Sequence, residues 1–249
     1  MKRVLIIVSL LFFACNSEDA PDCFQVNGDT EIRSYAVGPF TKIRIEDNVS
    51  LRIRQGNEYD VRVQAGRNLF SDISVEVYGN TLVISSDNNC ELVRDYEPIV
   101  AIVSAPDITL LRNASTGDIT SDGVLRYSNL ELRSDTSGGL EDPRKSGDFI
   151  LQLDTDHLLA TANGFSRFFL SGSAVEAHIG FTDELPLFEG AELEIEDLEV
   201  FQRSANIMRV NPINSIRGSI RGTGDVIAVN RPEIVEVEAY YTGQLIFED

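Results

Sequence analysis

Residues 215–229 read SIRGSIRGTGDVIAV: two short runs of alternating apolar residues on either side of a Gly-Thr-Gly-Asp corner. This pattern is typical of a strand, a tight turn and a second strand. Weaker copies of the corner occur at residues 116–119, 146–149, 163–166 and 242–245. Neighbouring copies lie roughly twenty to thirty residues apart except across one long gap, and such a period predicts stacked units that bury one another's apolar faces.

The corners are expected to direct the course of the chain because a tight turn needs special backbone geometry. Glycine adopts positive φ without strain, and aspartate accepts hydrogen bonds from amides that a turn leaves unpaired. The pattern is degraded at residues 164–167 and 189–192, which marks either irregular coils or a specialised surface. The predicted structural corners are Gly117, Asp118, Gly147, Asp148, Gly222, Gly224, Asp225 and Gly243.

Alternating apolar and polar residues predict β-strands through most of the chain. Residues 40–86 are expected to form about five strands with one buried face, and residues 99–247 many short strands. No stretch beyond the N-terminal apolar segment has helical periodicity. The predicted fold class is all-β: a β-solenoid resembling a parallel β-helix, with Gly and Asp corners and an N-terminal β-sheet unit.

The N-terminus has the features of a secretory signal. Lys2 and Arg3 precede an apolar run of about eleven residues, which is too short to span a bilayer as a helix. Ala14 directly before Cys15 resembles a bacterial lipobox. Residues 1–14 are therefore predicted to be removed, and Cys15 to be acylated and so anchored in outer-membrane lipid. An ordinary signal peptide followed by a coincidental cysteine is the alternative.

Residues 15–39 are predicted to form the lipidated N-terminus and a polar tether. Glu18 and Asp19 within this segment resemble the acidic surface-export signal of lipoproteins in the Bacteroidota. That resemblance indicates the outer membrane and an orientation towards the cell surface. An orientation towards the periplasm is the alternative.

Cys23 and Cys90 are the two cysteines left once Cys15 is assigned to lipid. An even pair in an oxidising envelope compartment predicts a disulfide. Such a bond would close a loop of about 67 residues and stabilise the fold by roughly 4 kcal/mol through chain entropy. A metal site or two free thiols are the alternatives, although neither cysteine has a histidine or a second cysteine at ligand spacing.

The charge of the chain limits its partners. Among 249 residues, 40 acidic side chains outnumber 21 basic ones, and the formal net charge is −19. Such a surface repels nucleic acid and anionic lipid headgroups, so nucleic acid is excluded as a partner. The acidic excess is typical of a well-solvated extracellular surface.

Two stretches together resemble a known family. FTKIRIEDNVSLRIRQGN at residues 40–57 is similar to the opening of the head GIN domain family, which is named for "putative auto-transporter adhesins". Residues 216–232, with GTGDV at 222–226, are similar to that family's closing repeat. The resemblance covers roughly residues 40–244 and implies a β-solenoid, a cell-envelope location and, by name, adhesion. It implies no catalytic or binding residues, but some lipoprotein members carry a cysteine pair like Cys23 and Cys90.

Catalytic and metal-binding patterns are nearly absent from the sequence. His157 and His178 are the only histidines, fall in separate predicted strands and lack the spacing of a metal-ligating or catalytic motif. Glu192, Glu194 and Glu196 share one strand face, as a Ca²⁺ site or an acid/base pair acting on a sugar would require, but a solvated acidic face is the commoner explanation. No cofactor and no metal are predicted.

The sequence predicts four segments: a signal peptide (1–14), a lipidated tether (15–39), an N-terminal β unit (40–96) and a β-solenoid repeat unit (97–249). The predicted role is non-enzymatic: an outer-membrane lipoprotein that acts as a surface adhesin or recognition module for a surface glycan or protein. Two alternatives stay open. One is a polysaccharide-active β-helix enzyme with carboxylates on neighbouring coils, and the other is a periplasmic structural or stress-sensing envelope protein.

Overall fold

The computed structural model describes residues 27–87, 98–140 and 143–248, and the chain within these ranges is all-β, as predicted. Seventeen strands join in one curled mixed sheet, and the helical elements described are single 3₁₀ turns at Arg67–Leu69 and Ser137–Gly139. The strands are β1 (Thr30–Ser34), β2 (Lys42–Asp47), β3 (Val49–Gln55), β4 (Asp60–Gly66), β5 (Ile73–Tyr78), β6 (Thr81–Ser86), β7 (Ile99–Ala105), β8 (Leu110–Ser115), β9 (Ile119–Leu125), β10 (Asn129–Ser134), β11 (Phe149–Ala162), β12 (Arg167–Phe181), β13 (Leu187–Gln202), β14 (Met208–Ile220), β15 (Val226–Ala228), β16 (Ile234–Ala239) and β17 (Leu245–Phe247).

The strands form two ribbons, and within each ribbon every strand is hydrogen-bonded to the next. Ribbon A runs in the order β5, β6, β2, β8, β10, β11, β12, β13, β14 and β16. Ribbon B runs in the order β1, β4, β7, β3, β9, β11, β12, β13, β14, β15 and β17. Strands β11 to β14 belong to both ribbons because each is long enough to give its first half to ribbon B and its second half to ribbon A.

Parallel pairing dominates both ribbons. Antiparallel pairing joins β5 to β6, β1 to β4 and β4 to β7, at the N-terminal end of each ribbon, and the other described pairings are parallel. Five strands lie between residues 40 and 86, as the alternation predicts. Strands β2 and β3 pair with β8 and β9, so the sheet continues across the boundary expected between residues 96 and 97.

Ordered structure begins before residue 40. Strand β1 lies inside the segment expected to be a tether, because its backbone pairs along its whole length with β4, from Thr30 opposite Gly66 to Ser34 opposite Arg62. The part of the tether before residue 27 lies outside the described residues.

One column of inward-facing side chains, all buried except the partly buried Leu245, runs up ribbon B and sets the repeat. Its members are register partners on successive strands, and their residue numbers differ by 19, 20, 20, 18 and 19: Phe149, Phe168, Phe188, Met208, Val226 and Leu245. We call each repeat a tier. The rings of Phe149 and Phe168 stack with centroids 4.6 Å apart. Such aromatic pairs stabilise a fold by about 0.5–1.5 kcal/mol beyond the contribution of their buried area.

The corner glycines pack against the backbone of another tier. An ideal Cβ on each would lie less than 3.0 Å from a carbonyl oxygen: Gly117 from Val49, Gly147 from Gly117, Gly222 from Ser204, Gly224 from Asn206, and Gly243 from Gly224. The sequence predicts glycine at these corners because a tight turn needs positive φ. That reason is wrong, because none of the five glycines has positive φ. They are required for space, since any side chain would push the stacked tiers apart.

The corner aspartates bind the backbone of the next tier rather than their own turn. Asp118 Oδ1 accepts from the Asp148 amide at 2.9 Å, and Asp225 Oδ1 accepts from the Gln244 amide at 2.8 Å. Asp148 accepts from the Arg167 amide and from its Nε, both at 2.9 Å. The side-chain hydrogen bond to this carboxylate raises the pKa of the Arg167 guanidinium. These aspartates therefore tie consecutive tiers together.

The prediction of a degraded corner at residues 189–192 is wrong. Those residues lie inside β13, where the register with β12 shifts as in a β-bulge. The corners of the middle tiers are GFSR at 164–167, ELPL at 184–187 and SANI at 204–207. At the surface they present Phe165, Leu185 and Ile207, which are 53%, 47% and 36% exposed, in place of the threonine, serine and aspartate of the regular corners.

Gly224→Ala is expected to destabilise the protein by at least about 2 kcal/mol, because the new Cβ meets the Asn206 oxygen. Thermal unfolding would show a fall in Tm of roughly 4 °C or more. Gly38→Ala is the matched control, since a Cβ there meets nothing within 4 Å, and should change stability by less than about 1 kcal/mol. Equal Tm values for the two variants would contradict the close contact between tiers.

Asp148→Asn is expected to destabilise the protein by about 1–3 kcal/mol, because the amide keeps the volume but loses the charge-assisted hydrogen bonds to Arg167. Urea denaturation measures the change. Arg167→Met should have a similar effect, and the double variant should be little worse than either single one because both remove the same interaction. Additive effects would show that the two side chains act separately.

Candidate functional site

A shallow groove of about 960 Å³ crosses the outward face of ribbon A from β10 to β14. Alternation along each strand determines its lining: in β12, Ala177 and Ile179 are buried, whereas Glu176 and His178 face outward. Because these strands are in register, outward side chains at equivalent positions line up in rows across them. The polar lining residues are Thr109, Asn129, Glu131, His157, Glu176, His178, Asp197, Glu199 and Arg217.

Both histidines of the chain lie in this groove, and each pairs with a glutamate on the next strand. His157 Nδ1 is 3.1 Å from Glu176 Oε2, and the two residues are register partners between β11 and β12. His178 Nδ1 is 3.2 Å from Glu199 Oε2, across β12 and β13. The four side chains are between 41% and 65% exposed, so a ligand can reach both pairs, and such exposed pairs contribute at most about 1 kcal/mol to folding.

Arg217 forms the β14 side of the groove. Its Nη1 lies 3.8 Å from Asp197 Oδ1, and its Nε lies 3.1 Å from Glu236 Oε2 on β16. Nη1 also donates to Ser215 Oγ at 2.6 Å, and the Ser215 hydroxyl donates to Asp197 Oδ1. Asp197 is therefore held between a hydroxyl group and a guanidinium group.

The groove also contains apolar surface, and a second hollow continues from it past Gly180. Leu159 is half-buried and is the register partner of His178. An ideal Cβ on Gly180 would lie 3.3 Å from His178 Nε2, so the glycine leaves that side of the imidazole open. A second hollow of about 330 Å³ shares His178 and Glu199 with the groove and extends to Asp135.

Three arginines are register partners on the N-terminal side of the groove: Arg44, Arg112 and Arg133. Arg112 is buried, donates to the Asp135 carbonyl oxygen at 2.9 Å and has a lowered guanidinium pKa, chiefly because burial disfavours its charge. Each outer arginine pairs with a glutamate two residues away in its own strand. The charges of this row are therefore balanced within ribbon A.

A second groove of about 620 Å³ lies on the outward face of ribbon B. Ile150 and Phe169 supply apolar lining, and Arg209 Nη2 donates to Glu248 Oε2 at 2.6 Å. This hydrogen bond raises the pKa of the Arg209 guanidinium. Glu189 lies on the other side of the same arginine, with 3.8 Å between their closest polar atoms.

Glu192, Glu194 and Glu196 are exposed at alternate positions of β13, while Leu193 and Ile195 between them are buried, as the sequence predicts. The three carboxylates do not converge as ligands. In the part of the chain that the structure describes, no group of three or more His, Cys, Asp or Glu side chains is arranged to hold a metal ion.

The other predicted site residues lie apart from the groove. Cys15, Cys23 and Cys90 fall outside the described residues, so their roles stay predictions. The glycines and aspartates of the predicted corners do not line the groove. Across residues 27–87, 98–140 and 143–248, no helix is long and apolar enough to cross a membrane.

Sequence reasoning missed the two His–Glu pairs. It placed His157 and His178 in separate strands, which is correct, but did not identify the partners. A signal was available: Glu176 follows His157 by 19 residues and Glu199 follows His178 by 21, close to the repeat of the buried column. Residues one repeat apart meet across neighbouring parallel strands.

Comparison with protein families matches residues 39–232 to the family described as "Putative auto-transporter adhesin, head GIN domain". No curated protein matches the chain.

Several solved structures share the fold. The crystal structure of a "putative adhesin" from Bacteroides fragilis NCTC 9343 has a TM-score of 0.78 at 21% identity, covering 88% of this chain and 97% of that chain. A "putative adhesin" from Parabacteroides merdae ATCC 43184 has a TM-score of 0.64 at 13% identity, with coverages of 90% and 98%. A "putative lipid binding protein" from Parabacteroides distasonis ATCC 8503 has a TM-score of 0.58 at 14% identity, with coverages of 90% and 98%.

At these identities the structural similarities establish the fold and leave the ligand open. The family match spans most of the chain and includes the strands that form the groove, from β10 to β14. The protein therefore belongs to the head GIN domain family of "putative auto-transporter adhesins".

Proposed function

We propose that this protein is a non-enzymatic lipoprotein of the outer membrane that faces the cell surface. It acts as an adhesin or recognition module and binds a surface polymer or protein along the outward faces of its stacked strands. Membership of an adhesin-named family supports the class of function. The observation that carries the proposal is the solvent-open groove across β10 to β14, which presents side chains from five parallel strands on one surface.

The stacked tiers form a β-solenoid in this proposal, with the antiparallel strands β1, β4 and β5 closing its N-terminal end. The parallel register from β11 to β17 supports this description. Residues 40–96 form the N-terminal β unit, and residues 97–249 form the repeat unit. A solenoid suits recognition because its repeats build long, regular binding surfaces.

The anchor in this proposal is Cys15. Residues 1–14 are removed as a signal peptide, Cys15 carries the lipid, and the polar residues after it connect the membrane to β1. Cys23 and Cys90 form a disulfide that ties this connection to the segment after β6. The negative net charge supports an outward orientation because it suits a solvated surface.

A second candidate function is hydrolysis or elimination on a polysaccharide in the same groove. Glu176 and Asp197 are register partners on adjacent parallel strands, and two carboxyl groups that flank a glycosidic bond can cleave it when one protonates the leaving oxygen and the other acts as nucleophile or as base for water. Product analysis after incubation with polysaccharides separates this candidate from a binding role, because only an enzyme shortens the chain.

Protease treatment of intact cells is expected to remove the protein, while a soluble periplasmic protein in the same cells survives. The reason is that a surface-facing anchor exposes the exterior loops of the tiers to the added protease. Immunodetection before and after rupture of the outer membrane measures the result. Survival until rupture would contradict the adhesin role and favour a periplasmic structural or stress-sensing one.

Cys15→Ser is expected to move the protein from the membrane fraction to the soluble fraction, because the hydroxyl cannot take up the thioether-linked lipid and the acyl chains are lost. Fractionation and metabolic labelling with a fatty acid measure the change. Cys23→Ser is the matched control, and it should keep both the label and the membrane location. Unchanged fractionation of Cys15→Ser would contradict the lipid anchor.

A further inference from the structure

We infer that the groove on ribbon A binds a neutral glycan chain through its histidine–carboxylate and arginine–carboxylate pairs. This inference rests on the proposed recognition function and specifies the ligand class of its groove. The sites of contact are the pairs His157–Glu176 and His178–Glu199 together with Asp197 and Arg217.

The arrangement of hydrogen-bonding groups is the first argument. In each pair the histidine Nδ1 faces the carboxylate, which leaves the ring Nε2 and one carboxylate oxygen for a ligand, and the pairs lie on successive strands. A sugar hydroxyl can donate to a carboxylate oxygen and accept from a guanidinium N–H, so neighbouring hydroxyls match the glutamates and Arg217. The histidine contacts use only Oε2 of Glu176 and Glu199, which leaves Oε1 of each available for a ligand hydroxyl.

Charge is the second argument. The carboxylates of the groove already have partners in the protein: Glu131 pairs with Arg133, and Asp197 is held by Ser215 and Arg217. A polycation would have to displace these partners and approach Arg217. A polyanion would meet four carboxylates inside a strongly acidic protein. A neutral, polyhydroxylated chain avoids both costs.

Shape is the third argument. Five parallel strands at the usual spacing of about 4.8 Å make the groove about 19 Å long, which accommodates several sugar units end to end. Leu159 gives an apolar surface for the C–H face of a sugar ring, and the glycine at position 180 leaves space beside His178 in the second hollow, which adjoins the groove. Because the groove is open at the surface, it admits an internal segment of a long polymer and does not require a chain end.

The test is titration of the full-length protein, purified in detergent, with hexasaccharides of neutral glucan, mannan and chitin type. A galacturonate hexamer and octalysine serve as the charged comparison ligands. We expect at least one neutral hexasaccharide to bind, with an affinity that changes less than about two-fold when salt is added, because no net charge is paired with the ligand.

The variant Glu176→Gln/Glu199→Gln is expected to weaken this binding at least ten-fold. Glu194→Gln/Glu196→Gln is the matched control: it removes the same charge from exposed positions of β13 outside both grooves and should leave the affinity within two-fold. Thermal unfolding of both variants should match the unaltered protein, because the substituted side chains are exposed.

Several outcomes would overturn the glycan assignment. These are no binding of any neutral hexasaccharide at millimolar concentration, equal loss in the two double variants, or salt-sensitive binding of octalysine alone. Because the pairs would bind hydroxyl groups of any neutral sugar, failure of all the neutral hexasaccharides to bind counts against the ligand class. Shortening of a bound hexasaccharide would support the ligand class and overturn the non-enzymatic role. Protease treatment of cells tests the surface location independently, so the two proposals can fail separately.

Discussion

The structure depends on the close approach of backbone to backbone at the corners. At the regular corners a carbonyl oxygen of one tier lies where the Cβ of the next tier's corner residue would be, and only glycine permits that contact. Aspartate then fixes the distance by accepting an amide hydrogen from the adjoining tier, as Asp118 does from Asp148. Once the tiers are held at this separation, register between strands follows, and with it the rows of side chains on both faces of the sheet.

Much of this fold can be predicted from the sequence, because period-two alternation reports burial directly. The five strands between residues 40 and 86 and the regular corner around Gly224 are predicted in this way. The physical reason for the glycines cannot be obtained from one chain segment, since it lies in the carbonyl oxygen of another tier. The bulge in β13 resembles a corner in the sequence for the same reason, because Gly190 has the character of a turn residue until the register with β12 is known.

The candidate site is harder to predict than the fold. Its residues are spread over strands whose order in space is fixed by the repeat. Because the repeat varies between 18 and 20 residues, the sequence alone does not show which residues of neighbouring tiers are register partners. His157 and Glu176 carry no local motif, and their proximity results only from parallel pairing of β11 with β12. Cys15 shows the opposite situation, because its predicted role is local and requires no knowledge of the fold.

The groove is built on long strands, and the regular corner has been lost before three of them. Strands β12, β13 and β14, which follow the lost corners, are 15, 16 and 13 residues long. Strand β11 is 14 residues long behind the intact corner at Gly147 and Asp148, whereas β15 behind the intact corner at Gly224 has 3 residues. A long strand that pairs in both ribbons keeps its register through many backbone hydrogen bonds, so it depends less on the aspartate link. That independence allows Arg167, Leu187 and Ile207 to stand where aspartate stands elsewhere, and it gives the ribbon A side of the same strands a continuous surface for His178, Glu199 and their neighbours. The groove thus depends on the length of its strands, and that length permits the loss of the corner pattern without requiring it.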